Sequence, residues 1–175
     1  MSLADDLLQA ADLLVGEGRG TTKQARLRRA LSTAYYAVFH ALCEFVATGL
    51  VGGNTKEAPQ RARAQVYRAL DHHKAKTRLK SLFQNGRFRT DLRFPQAVET
   101  FAVAFENLQE ERHRADYDPL AKFGRGEVRL LIDEAKAAVD CLRKIRGKHQ
   151  AALAVWVMFD HRPGRAADGT RKSRP

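Results

Sequence analysis

The sequence predicts an all-α protein, an up-and-down bundle of about five helices. Three observations predict it. Apolar residues recur at spacings of three and four along most of the chain, no segment alternates with the period of a strand, and the five prolines fall at element edges or in the tail. The hydrophobic share of 44% over 175 residues suits one globular domain. We place the bundle at residues 1–159 and a basic, disordered tail at 160–175, where Pro163, Gly164, Gly169 and Pro175 separate the charges.

Each helix has its own signature. The first is expected over 3–15, with Leu3, Leu7, Leu8, Ala11 and Leu14 on one face and Gly16, Gly18 and Gly20 ending it. The second spans 22–48. Thr21 with Gln24 three residues later reads as a capping box. Leu27, Leu31, Ala34, Val38, Ala41 and Phe45 form an apolar stripe, and Gly49, Gly52, Gly53 and Asn54 break the chain. The third covers 58–84, either continuous or interrupted near His72-His73, and Asn85-Gly86 stops it. The fourth runs over 95–117. Pro95 suits its first turn, Val98, Phe101, Phe105 and Leu108 make its stripe, and Pro119 pushes the preceding residue out of the α region. The fifth runs over 126–146, and Ala152, Trp156 and Phe159 keep its phase past Gly147. Unbroken to Phe159, it would be about 50 Å long, more than a compact bundle of this size holds.

Charge narrows the function classes. The net charge is +11, an excess that favours polyanionic partners. It is uneven: residues 1–18 carry four acids and no Lys or Arg, whereas 61–93 carry ten Lys/Arg against Asp71 and Asp91. The N-terminus lacks the basic-then-apolar pattern of a secretory signal. The longest apolar stretches, such as 151–159, fall short of the roughly 20 residues that span a bilayer. Cys43 and Cys141 lie far apart among apolar residues and read as buried reduced thiols. No Cys/His spacing suits a metal, and no cofactor motif is present. These readings point to a cytoplasmic protein without membrane contact.

The sharpest local feature ends the fourth helix. Continuing the stripe from Val98 through Leu108 brings Arg112 and then Asp116 into the apolar phase. A charge placed there is costly unless paired, so the two form either an internal clamp or part of a site. On the second helix Arg29, Thr33, Tyr36 and His40 share a face beside the apolar stripe, as a polar seam or a binding surface. Tyr35 and Tyr36 offer rings for stacking. His73, beside Lys74 on the basic third helix, is a candidate acid or base for phosphodiester chemistry, with His40 and His113 as weaker candidates. Lys74, Lys76 and Arg78 there, and Arg114 on the fourth helix, are candidate phosphate contacts.

The run Leu27-Arg28-Arg29-Ala30-Leu31-Ser32-Thr33-Ala34-Tyr35-Tyr36-Ala37-Val38-Phe39-His40 resembles the second helix of HEPN domains. Arg112-His113-Arg114-Ala115-Asp116-Tyr117 resembles their Arg-x-x-Ala-Asp-Tyr signature. The resemblance covers roughly residues 5–146. It implies a homodimer with the signature in a shared cleft, and RNA or a nucleotide as ligand. It also implies a place in a toxin–antitoxin or defence system, with a small nucleotidyltransferase antitoxin as partner. Catalytic members are metal-independent ribonucleases that carry a His four to six residues beyond the Arg. Here Tyr117 stands in that place, and tyrosine is a poor base at neutral pH. The first expectation is therefore a non-catalytic RNA- or nucleotide-binding or partner module. The alternatives are an endoribonuclease using Arg112, Asp116, Tyr117 and His73, and a helical scaffold.

Overall fold

The computed structural model describes residues 2–16, 23–53, 59–83 and 93–159. Among the described residues there are seven helices and no strand: α1 Leu3–Gly16, α2 Lys23–Val51, α3 Gln60–Ala69, α4 His72–Leu82, α5 Gln96–Tyr117, α6 Arg125–Lys144 and α7 Gly147–Met158. The fold is all-α as expected, but the count of about five is corrected. Two of the expected helices each divide in two.

The third helix breaks at Leu70-Asp71. Asp71 adopts an extended conformation, and its carboxylate accepts from the Lys74 N–H at 2.7 Å, a cap that starts a new helix. The fifth breaks at Ile145-Arg146, both extended, and the chain re-enters helix at Gly147 with φ +59°, where glycine carries no steric penalty. The overlong helix of the sequence reading thus becomes two, and α7 folds back on α2 and α4.

Glycine at 49 behaves differently from the expected breaker. The second helix runs through it and stops only at Gly52, with φ +105°. A Cβ at Gly49 would lie 3.0 Å from the Ala154 Cβ and 3.2 Å from the Gln150 carbonyl, so its lack of a side chain lets α7 approach. Thr21, Gly18, Gly20, Asn85-Gly86 and the tail 160–175 lie outside the described residues. The Gln24 amide donates to the Phe123 carbonyl at 2.9 Å and accepts from the Phe123 N–H at 3.0 Å; the expected capping box involves Thr21 and so falls outside the described residues.

The central element is α2, packed against α1, α3, α5, α6 and α7. Leu31, Val38, Leu42, Phe101, Phe105 and Ile132 are fully buried around it. Although the longest uninterrupted apolar runs are short, α2 is by length and composition apolar enough to cross a bilayer. In this fold its apolar residues face the other helices. Cys43 is buried, which pushes its thiol up to about 12, whereas Cys141 is half-buried; both are free.

One expected surface cation is interior. Arg63 of α3 is 5% exposed. It donates to the Glu44 carboxylate and the Gly52 carbonyl, and to Thr48 Oγ1 at 3.4 Å. A cation at the carbonyl end of α2 is favourably placed against the helix dipole, and it pins α3 to that end.

Candidate functional site

A polar ladder joins α2 to the end of α5 and the segment after it. Its rungs come from α2 at intervals of four, the spacing that repeats along one side of a helix. Gln24 holds Phe123. Arg28 donates to the carbonyls of Ala115 at 2.7 Å, Asp118 at 2.8 Å, Ala121 at 2.5 Å and Pro119 at 3.4 Å. These include carbonyls that a helix C-terminus leaves unpaired, so Arg28 fixes how α5 ends. The next rung is Ser32, buried, whose hydroxyl donates to Asp116 Oδ1. The last is Tyr36, whose hydroxyl accepts from Arg112 Nη2 at 3.0 Å. Pro119 fulfils its expected role, leaving Asp118 extended at φ −92°, ψ 107°.

Arg112 and Asp116 meet on this ladder. Nε lies 2.7 Å from Asp116 Oδ2, yet the Nε–H finds no acceptor in line, so the pair is held by charge contact rather than by an aligned hydrogen bond. The guanidinium sits 5.5 Å from the ring centres of both Tyr36 and Tyr117, within cation–π range. Burial penalises its charge, but Tyr36, Asp116 and Tyr117 outweigh that penalty and keep it protonated. The side chain keeps 21% of its surface and that of Asp116 27%. Arg112 is therefore a half-open cation with one edge tied to the protein. Tyr117 is 63% exposed, and the His113 ring lies 4.8 Å from it.

Behind Tyr36 lies an aromatic cluster that brings in a residue the sequence reading passed over, His72. Its ring stacks on Phe39 at 3.7 Å and lies 5.8 Å from Tyr36. Its Nδ1 shares a 2.7 Å hydrogen bond with the Tyr35 hydroxyl. Burial lowers the pKa of His72, and Arg112 and His40 lower it further, so the ring is neutral at neutral pH. Burial likewise raises the pKa of Tyr35, which stays a hydroxyl. Helical phase is the signal that could have found His72: Ala75, Leu79 and Leu82 are the buried side of α4, and residue 72 lies on that side.

The other expected site residues are placed as follows. His73 is exposed on α4, one step around from His72; the histidines placed near Arg112 are His72, behind Tyr36, and His113, beside Tyr117. Tyr35, 1% exposed, is core and presents no ring for stacking. Arg29 is exposed, and its carbonyl accepts from Thr33 Oγ1. His40 is half-buried, its Nδ1 2.7 Å from the Tyr67 hydroxyl, and burial lowers its pKa. Lys76 faces Glu110 at 2.7 Å and Glu106 at 3.7 Å. Arg78 donates to the Phe159 carbonyl, and Arg114 meets Glu111 at 2.9 Å and Glu127 at 3.4 Å. Lys74 is well exposed, 3.5 Å from Asp71. Acids of α5 thus partly neutralise the basic helix, which the net count over 61–93 had concealed.

Among the described residues no group of His, Cys, Asp or Glu is arranged to hold a metal ion. Fold and site together define an all-helical protein with a half-open arginine held between two tyrosines at a helix–helix seam. No protein-family model, curated protein or solved structure matches the chain.

Proposed function

We propose that this chain is a HEPN-type module that binds RNA, with Arg112 as the phosphate contact and Tyr117 as a stacking surface for a base. The observation that carries the reading is the half-open guanidinium beside an exposed ring. Arginine pairs bidentately with phosphate oxygens, and an aromatic face accepts any base. Asp116 cancels much of the long-range field of Arg112, so the contact is short-ranged. Attraction at a distance comes from the net charge of +11. The two motif segments of the HEPN resemblance are joined rung by rung in the ladder, which supports treating them as one unit. In this reading the protein acts as a homodimer. Leu120, 86% exposed, lies at the interface, so that two Arg112 groups, each with its Tyr117, line one cleft.

The test is fluorescence anisotropy of a labelled single-stranded RNA at 50 and 200 mM salt. The wild type binds with affinity that falls steeply with salt, and Arg112→Ala weakens binding at least tenfold. Equal affinities for the two proteins, or no binding at low salt, overturn the reading. Light scattering after gel filtration reads the dimer.

A second reading, metal-independent RNA cleavage, is favoured by His72 alone. A neutral imidazole in the field of the arginine can accept the proton of a ribose 2′-hydroxyl as that oxygen attacks the adjacent phosphate; the P–O5′ bond breaks, a 2′,3′-cyclic phosphate forms, and the departing 5′-oxygen takes a proton from the imidazolium or from water. Incubation with total RNA in EDTA separates the readings. Cleavage lost in both His72→Ala and Arg112→Ala, and retained in His73→Ala, supports catalysis; intact RNA with wild-type protein removes it.

A further inference from the structure

A cavity of about 710 Å³, with His40 in its lining, opens between the start of α1, the middle of α2, α3 and the α6–α7 junction. That volume falls within the roughly 300–1,000 Å³ of small-molecule sites. None of the residues that hold Arg112 lines it. Its walls are of mixed character, with Leu3 and the Tyr67 ring on the apolar side and polar groups of α2, α6 and α7 opposite.

The charges around it nearly cancel, and the remainder is informative. Glu44 is taken up by Arg63. Arg143 is taken up by Asp5 at 2.6 Å, whose carboxyl is held near about 2 by the Ser2 backbone N–H and then by Arg143. The His40–Tyr67 pair is uncharged: burial lowers the imidazole, and burial followed by Cys43 and Glu44 pushes the phenol up to about 12. What is left is Arg146 at the α6–α7 junction. Among the described residues its hydrogen bond is a 3.3 Å one to the carbonyl of its neighbour Ile145. A guanidinium without a carboxylate partner among the described residues, at a cavity with the Tyr67 ring in its wall, suits one negative charge on a flat body.

We propose that this cavity is a binding site for a small planar anion, an aromatic ring bearing a carboxylate or a phosphate. The anionic group pairs with Arg146 and the ring lies against Leu3 and the Tyr67 ring. The site is separate from the Arg112 seam and does not depend on the RNA-binding reading.

Isothermal titration with 1-naphthoate, 1-naphthyl phosphate and the uncharged 1-naphthamide tests it on the full chain. At least one anion binds, roughly tenfold or more tighter than the amide; which of the two binds tighter identifies the preferred head group. Arg146→Gln, a substitution at an exposed position, removes that preference and leaves the amide unchanged. Tyr67→Ala weakens all three, and Arg112→Ala weakens none. Equal binding of amide and anions, an unaltered preference in Arg146→Gln, or no heat from any of them at millimolar concentration overturns the proposal. Thermal melts of each variant show that it is folded before binding is read.

Discussion

Arg63 and Arg112 both reach α2 from a flanking helix, and they are held in opposite ways. At the α2–α3 junction Arg63 is saturated by the chain itself, through a carboxylate, a hydroxyl and a carbonyl at the end of a helix. At the α2–α5 seam Arg112 receives one carboxylate and one hydroxyl. It keeps an edge toward solvent and sits between two rings, one of them exposed. Burying a cation is costly in either place. At the junction the protein supplies three hydrogen-bond acceptors, one of them charged. The comparison teaches that depth alone does not mark a charge as functional: the more buried arginine is tied into the chain at three points, and the shallower one keeps the open edge that the proposed reading assigns to an anion.

Variants at the two positions sharpen the contrast. Arg63→Ala strands the Glu44 carboxylate and the end of α2, and is expected to cost about 2 kcal/mol, seen as a Tm lower by roughly 4–8 °C with RNA affinity of the folded protein unchanged. Ser32→Ala removes the rung under Asp116. Its expected cost is about 1 kcal/mol, with a several-fold loss of RNA affinity as the carboxylate loosens its hold on Arg112. That combination of small stability loss and clear binding loss is the reverse of the Arg63 result. Acidification is a milder break. His40 and His72 are depressed in the folded protein relative to an ordinary value near ~6.5, so their contribution is complete above that pH and is lost as pH falls through the folded values. Melting curves from pH 7.5 to 5 should show a falling Tm, with a shallower fall in His72→Phe. The smallest effect is expected at Lys76→Ala. This lysine is paired with Glu110 and Glu106 near the surface, where such pairs contribute about 0–1 kcal/mol, and anisotropy should detect no change in RNA binding.

Much of the fold was legible in the sequence because apolar phase and proline chemistry are local. The stripe from Leu27 to Phe45 is the buried or half-buried side of α2, and Pro119 ended α5 where expected. Arg112 and Asp116 were legible for the same reason, as charges in an apolar phase. What stayed hidden depended on partners distant in the chain. Gln24 and Arg28 look like an exposed polar face until Phe123 and the carbonyls from Ala115 to Ala121 are brought to them. Gly49 looks like a breaker until Ala154 packs over it. Arg63 counts as surface charge until Glu44 and Gly52 enclose it. The choice between His72 and His73 turned on the start of α4, set by the Asp71 cap. Once that start is set, the phase of Ala75, Leu79 and Leu82 turns His72 inward and His73 outward.

The most direct measurement is on the arginine side chains themselves. In a protein labelled with ¹⁵N, the Nε–H resonances of Arg112 and Arg63, assigned by substitution, are followed while a short single-stranded RNA is added. The account predicts that the Arg112 signal moves with saturation and the Arg63 signal stays fixed. An unmoved Arg112 signal, while arginines elsewhere on the surface respond to the bound RNA, would contradict it.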